Sequence, residues 1–184
     1  MIIVAGMPRC GTTLLARAID GQDDGQFWEG GEHVVKTHAR ANEFYDSPIK
    51  KAIFVYGNIC DSAYSSYKKR WTQGHIDNCQ GPGTIHSDPL KMDALGLYEM
   101  LKSWLYEPPH HMDILYLHYP SYFKYRKQIG HFVGWPVILP IKKERNNAAP
   151  FDVSISMHQN CLSYKWGREL ISVLPVCWVR YAEV

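Results

Sequence analysis

Near its start the chain reads GMPRCGTT, and this stretch has the residue types and spacing for holding an anion. Gly6 and Gly11 have the separation of a phosphate-binding loop, G-x-x-x-x-G-K-[ST]. A threonine, Thr12, stands where that pattern has its lysine, and Thr13 follows. Glycines let successive backbone N–H groups point inward, and a helix that starts at such a loop adds partial positive charge. Thr12 and Thr13 contribute hydroxyls, and Arg9 supplies a fixed cation inside the loop. Without the lysine that reaches a β- or γ-phosphate, the nest suits a 5′-phosphate and what is attached to it. It is a poor clamp for a triphosphate.

A second group follows about 25 residues later in HVVKTH, where Lys36 and His38 flank Thr37. A hydroxyl acceptor needs a base within hydrogen-bond reach, which His38 can be. A cation beside a bridging oxygen offsets the charge that develops on a leaving phosphate, which suits Lys36. Glu29 and Glu32 lie just upstream.

The elements that must position these residues are legible as alternating strands and helices. Met1–Ala5 is a short strand of the buried type, and Thr12–Asp20 has helical spacing. His33–Lys36 predicts a second strand and Ala52–Tyr56 a third, apolar enough for burial on both faces. Asp61–Arg70 predicts a helix, Gln73–Pro89 a long loop or lid, and Leu90–Tyr106 an amphipathic helix stopped by Pro108 and Pro109. Ile114–His118 is a fourth strand and Tyr122–Val133 a further helix. Beyond Pro136 the signal weakens, with Cys161–Leu174 as a helix and Val176–Tyr181 as a strand. The alternation predicts an α/β fold, a three-layer sandwich with a mainly parallel sheet, in a single domain over residues 1–184.

Composition agrees. Hydrophobic residues make up 46% and charged residues 21%, which suits one globular core. A formal net charge of +2 is too mild to predict nucleic acid or a membrane surface as partner, so an anion must be held by local groups. Five cysteines without recurrent spacing do not form a disulfide framework. No apolar run is long enough for a membrane span, and Met1–Ala5 lacks the basic start of a signal peptide, so a reducing cytoplasm is expected.

On these residues the chain resembles a family. Pro8–Thr13 (PRCGTT) is similar to the PKSGTT or PRSGTT loop of sulfotransferases that use 3′-phosphoadenosine 5′-phosphosulfate (PAPS), with Cys10 replacing the serine. The K-T-H at Lys36–His38 resembles the catalytic strand end of the cytosolic type. FVYGNICDSAYSSY, from Phe54, resembles the 3′-phosphate-binding pattern V-x-R-N-P-x-D-x-x-x-S-Y, with Asn58, Asp61 and Ser65 in register. Gly57 replaces its arginine and Ile59 its proline. The strand at Asp113 and the FVGWP at Phe132–Pro136 look like a further family segment. The resemblance runs from Met1 to about Arg145 and implies a P-loop nucleoside triphosphate hydrolase-like fold.

The implied activity is transfer of a sulfuryl group from PAPS to an acceptor hydroxyl or amine on a small molecule, with no metal. The implied site has Arg9, Cys10, Gly11, Thr12 and Thr13 on the 5′-phosphosulfate, Lys36 on the bridging oxygen, and His38 as base, with Glu32 a lesser candidate because some related enzymes use a glutamate base. Ser65 holds the 3′-phosphate, with Lys143 and Arg145 of IKKERNN as candidate substitutes for the absent arginine. Two alternatives remain: a nucleotide-binding protein of the same fold without the reaction, and a P-loop phosphotransferase with a modified Walker loop. His75 and Cys79, four apart, could share a helical face, but the surrounding Gly and Pro disfavour a helix and no zinc site is expected.

Overall fold

The computed structural model describes residues 1–21, 31–70, 72–82, 88–119, 121–141 and 148–183. Strands β1 (Ile2–Gly6), β2 (Val34–Thr37), β3 (Lys51–Tyr56), β4 (Asp113–His118) and β5 (Cys177–Arg180) form one sheet in the order β2-β1-β3-β4-β5. The first four are parallel, and β5 joins β4 antiparallel. The fold is therefore α/β with a five-stranded, mostly parallel sheet.

Helix α1 (Thr12–Asp20) connects β1 to β2 on one side of the order. Helices α2 (Ile59–Lys68), α3 (Thr72–Gln80) and α4 (Leu97–Tyr106) connect β3 to β4 on the other. Right-handed crossovers in opposite directions put these two groups on opposite faces. From β1 the winding moves to β2 on one side and from β3 to β4 on the other, so the carboxyl ends of parallel β1 and β3 flank a crevice of the kind where α/β sheets hold ligands. Helix α5 (Arg126–Val133) follows a 3₁₀ turn at Ser121–Tyr125, and α6 (Phe151–Asn160) and α7 (Leu162–Val173) precede β5.

The core is what a two-sided sheet demands. All of β1 and Ala52–Tyr56 of β3 are buried, as are Ile114–Leu117. Phe54 stacks on Trp104 of α4, with centroids 5.3 Å apart. Each such large side chain contributes about 2–3 kcal/mol by leaving water.

Two expectations fail, and one element was not foreseen. Residues 73–80 are not loop but most of α3, because Ile76 and Cys79 bury one face and the Gln73 amide donates to Asp77 one turn on. Gly74 is exposed and tolerated there. The helix expected from Leu90 begins only at Leu97. Half-buried Asp93 ends the turns before it, its carboxylate accepting from the N–H groups of Leu97 and Tyr98 at 2.8 Å each. Helix α6 has no counterpart in the sequence reading, since only Met157 of its ten residues is buried and it offers little helical periodicity.

The five cysteines are unpaired, in line with the sequence. Among the described residues no helix is long and apolar enough to cross a membrane.

Candidate functional site

The GMPRCGTT stretch leaves β1 at Gly6, where a Cβ would collide with the Val55 carbonyl oxygen. That close approach to β3 accounts for a glycine. The loop is tied down by Met7 N–H to Val55 O at 3.1 Å and by the Ser62 hydroxyl donating to Pro8 O at 2.6 Å. Arg9 has a left-handed backbone, φ 66°, an unfavourable state for a side-chain-bearing residue. Gly11 also turns left-handed, φ 74°, and any Cβ there would meet the Tyr122 hydroxyl at 2.6 Å.

Gly11 is the N-cap of α1, and no side chain caps that helix. The first intrahelical bond runs from Leu15 N–H to Gly11 O at 3.0 Å. The amides of Thr12, Thr13 and Leu14 thus precede every helical acceptor. They begin α1 beside a cavity of about 360 Å³ that Arg9, Gly11, Thr12 and Thr13 line together with Lys36 and His38. Arg17, His75 and Tyr119 complete much of its wall. No Asp or Glu is among its described lining residues. An uncapped helix start together with Arg9, Arg17 and Lys36 gives the described wall a positive potential, which suits an anion.

His38 lies just beyond the end of β2 and is 5% exposed. Its Nδ1 is 2.6 Å from Gly6 O. A carbonyl only accepts, so Nδ1 carries the proton and Nε2 is the basic nitrogen. Burial, and then the Lys36 charge, hold the imidazole pKa down to about 3, so the ring is neutral and able to take a proton. Burial likewise lowers the Lys36 ammonium pKa.

Six predicted residues from two separate segments therefore converge: Arg9, Gly11, Thr12, Thr13, Lys36 and His38. Others lie elsewhere. Cys10 is 3% exposed and faces Gly57, its N–H donates to Met7 O at 3.3 Å, and it does not line the cavity. Burial pushes its thiol up to about 12, which leaves it neutral and unreactive. Ser65 is also buried behind the cavity wall, where its hydroxyl accepts from Arg9 Nε at 3.0 Å. Asn58 caps α2, its Oδ1 accepting from Cys60 N–H at 2.9 Å and Asp61 N–H at 3.2 Å. Asp61 accepts from Ala149 N–H at 2.8 Å. Glu32 is exposed and outside the cavity lining. Lys143, Arg145 and Glu29 lie outside the described residues.

The sequence reading missed Arg17, His75, Tyr119 and Tyr122. Arg17 could have been found from the position of Gly11, since it projects from the second turn of the helix that the loop begins. For His75 and the tyrosines no local signal exists. Leu14 and Arg17 also line a second, neighbouring cavity of about 690 Å³ along α1, whose far wall is Trp135, Pro136, Ile138 and Pro140. The Trp135 indole N–H donates to Ile19 O at 2.9 Å and fixes one end of that wall. Among the described residues no three His, Cys, Asp or Glu side chains form a group that could hold a metal ion.

No protein-family model matches the chain, and no curated protein is similar to it in sequence.

Proposed function

We propose that this chain is a PAPS-dependent sulfotransferase with a P-loop fold, moving a sulfuryl group to an acceptor hydroxyl or amine. The observation that carries the reading is the convergence of the GMPRCGTT loop and Lys36-Thr37-His38 on one cavity with no Asp or Glu among its described lining residues, His38 being neutral with its Nδ1 already committed. The residues fit the donor: the open amides of Thr12 and Thr13, the two threonine hydroxyls and Arg9 would hold its 5′-phosphosulfate. The donor supplies an activated sulfuryl group on a phosphate leaving group. The nucleoside has room in the apolar cleft between α1 and Trp135–Pro140.

His38 Nε2 takes the proton of the acceptor as the acceptor oxygen or nitrogen bonds to sulfur. The sulfur–oxygen bond to the phosphate breaks, and Lys36 offsets the charge left on that oxygen. The products are the sulfated acceptor, adenosine 3′,5′-bisphosphate and a proton that His38 returns to solvent.

A second reading, nucleotide binding without transfer, is favoured by one observation. Gly57 gives Ser65 no cation, and the Arg9 guanidinium that stands beside Ser65 belongs to the loop that serves the 5′ end.

Calorimetric titration with adenosine 3′,5′-bisphosphate, 5′-AMP and Mg-ADP tests both, alongside turnover of PAPS with a panel of hydroxyl and amine acceptors. Preference for the bisphosphate with turnover supports the sulfotransferase. Equal binding of bisphosphate and AMP without turnover favours the second reading. Preference for Mg-ADP overturns both in favour of a phosphotransferase.

A further inference from the structure

We propose that His75 is a further ligand of the bound anion, brought into the cavity by α3 and donating an imidazolium N–H to the phosphosulfate group. This rests on the reading of the cavity as a phosphosulfate site, and it adds a residue that neither the loop nor the K-T-H segment supplies.

His75 lines the same cavity as Arg9, Lys36 and His38. Its Nδ1 is 3.0 Å from the Ser66 hydroxyl oxygen, and that hydroxyl donates its own hydrogen to Ser62 O at 3.0 Å. Ser66 can therefore only accept from the ring, so Nδ1 carries the proton and Nε2 is the atom that titrates. The two histidine rings meet edge-on, with centroids 5.8 Å apart. Each has its Nδ1 proton assigned to a protein oxygen, Gly6 O for His38 and Ser66 Oγ for His75. Consecutive serines of α2 thus orient two side chains of the site, Ser65 the Arg9 guanidinium and Ser66 the His75 imidazole.

Arg9 from the loop and Lys36 from β2, both positive, act on His75 among the described residues, with neutral His38 alongside. With burial as the larger cause, they hold its pKa down to about 4. A multiply charged anion among these cations reverses the sign of the local potential, and Nε2 then takes a proton from solvent. His38 is more deeply buried and remains the base, while His75 becomes a donor to the anion.

The test uses the full chain at pH values from 5.5 to 8. Adenosine 3′,5′-bisphosphate is titrated calorimetrically in buffers of different ionisation enthalpy, and the imidazole ¹⁵N signals of His75 are followed. Wild-type protein should take up more protons on binding than His75→Gln, which keeps an N–H donor but cannot titrate. His75→Phe, which keeps a ring without a donor, should bind about tenfold more weakly. The ¹⁵N signals should move from the neutral to the protonated pattern.

Equal proton uptake in wild type and His75→Gln, with His75 signals unchanged on binding, would overturn the assignment. Inorganic pyrophosphate is the second probe, so a protein that ignores the nucleotide still tests His75. In that case the sulfotransferase reading fails while the histidine assignment stands or falls on the pyrophosphate result. Binding of neither probe overturns both.

Discussion

The sulfur of Cys10 stands 3.0 Å from the point where a Cβ on Gly57 would lie. These are two positions at which the chain departs from the sulfotransferase motifs, a serine in the loop and an arginine after β3. In the fold they are neighbours, and the larger side chain at one fills the room left by the glycine at the other. A buried neutral thiol acts here as a packing atom.

Gly57→Ala should therefore destabilise the protein by about 1–2 kcal/mol, through overpacking against Cys10. Cys10→Ala opens that space, so the double variant should be less destabilised than the two singles predict, by about 1 kcal/mol. Urea denaturation of the four proteins measures the difference. Strict additivity would mean that the two positions do not share a packing site.

Arg9 combines a left-handed backbone with a hydrogen bond to Ser65. Arg9→Gly relieves the first and loses the second, effects of about 1 kcal/mol each, so stability should change little. Binding of adenosine 3′,5′-bisphosphate should nevertheless weaken at least about tenfold, because a charge-assisted contact is lost. Arg9→Ala keeps the strained backbone and should lose both stability and affinity. Unchanged affinity in both variants would remove Arg9 from the site.

His38→Ala should abolish turnover and leave bisphosphate affinity within a few-fold, since the base acts on the acceptor. The imidazole is already neutral well above pH 3, so kcat/KM should show no acidic limb from His38 between pH 8 and 5. The Lys36 ammonium has its pKa lowered by burial, so activity should fall on the alkaline side below the ordinary lysine pKa. Lys36→Met should remove that alkaline limb along with most of kcat. A pH–rate profile in three buffers reads each of these outcomes.

Stability should depend on pH through the same groups. The unfolded chain protonates His38 near pH 6.5, while the folded chain resists until about pH 3. Between those values the unfolded state holds the extra proton, so stability is full above about pH 6.5 and falls as pH is lowered. The slope from His38 is at most about 1.4 kcal/mol per pH unit. His75, lowered to about 4, acts in the same direction. Asp61 and Asp93, whose carboxyl pKa values burial raises, oppose this at lower pH, so the effect is best read between pH 7 and 5. Urea midpoints should drop over that range, and less steeply in His38→Gln.

Local sequence carried the strands well. The runs at Ile2, Ala52 and Ile114 are buried on both faces of the sheet, and such burial leaves an apolar run that no tertiary information is needed to see. The first helix was equally legible from Gly11 and the spacing of Leu14, Leu15, Ala18 and Ile19, although its buried face centres on Leu15, Ala16 and Ile19. Helix α3 was not. Gly74 and the polar residues around it lower helix propensity, and burial of Ile76 and Cys79 against the rest of the protein overrides that preference.

By itself the sequence determined a glycine-bounded loop between a strand and a helix, a cation and a histidine at the end of the next strand, and an alternating α/β chain. Those features are local, set by residue type and short spacing. Only the tertiary structure decided that the two segments face one cavity, that Arg9 turns toward Ser65, and that His75 joins them. It also separated Cys10 from that cavity and set it against Gly57. Each of these depends on contacts across many residues of chain, and a parallel sheet whose winding changes sides between β1 and β3 brings them together without any trace in local spacing.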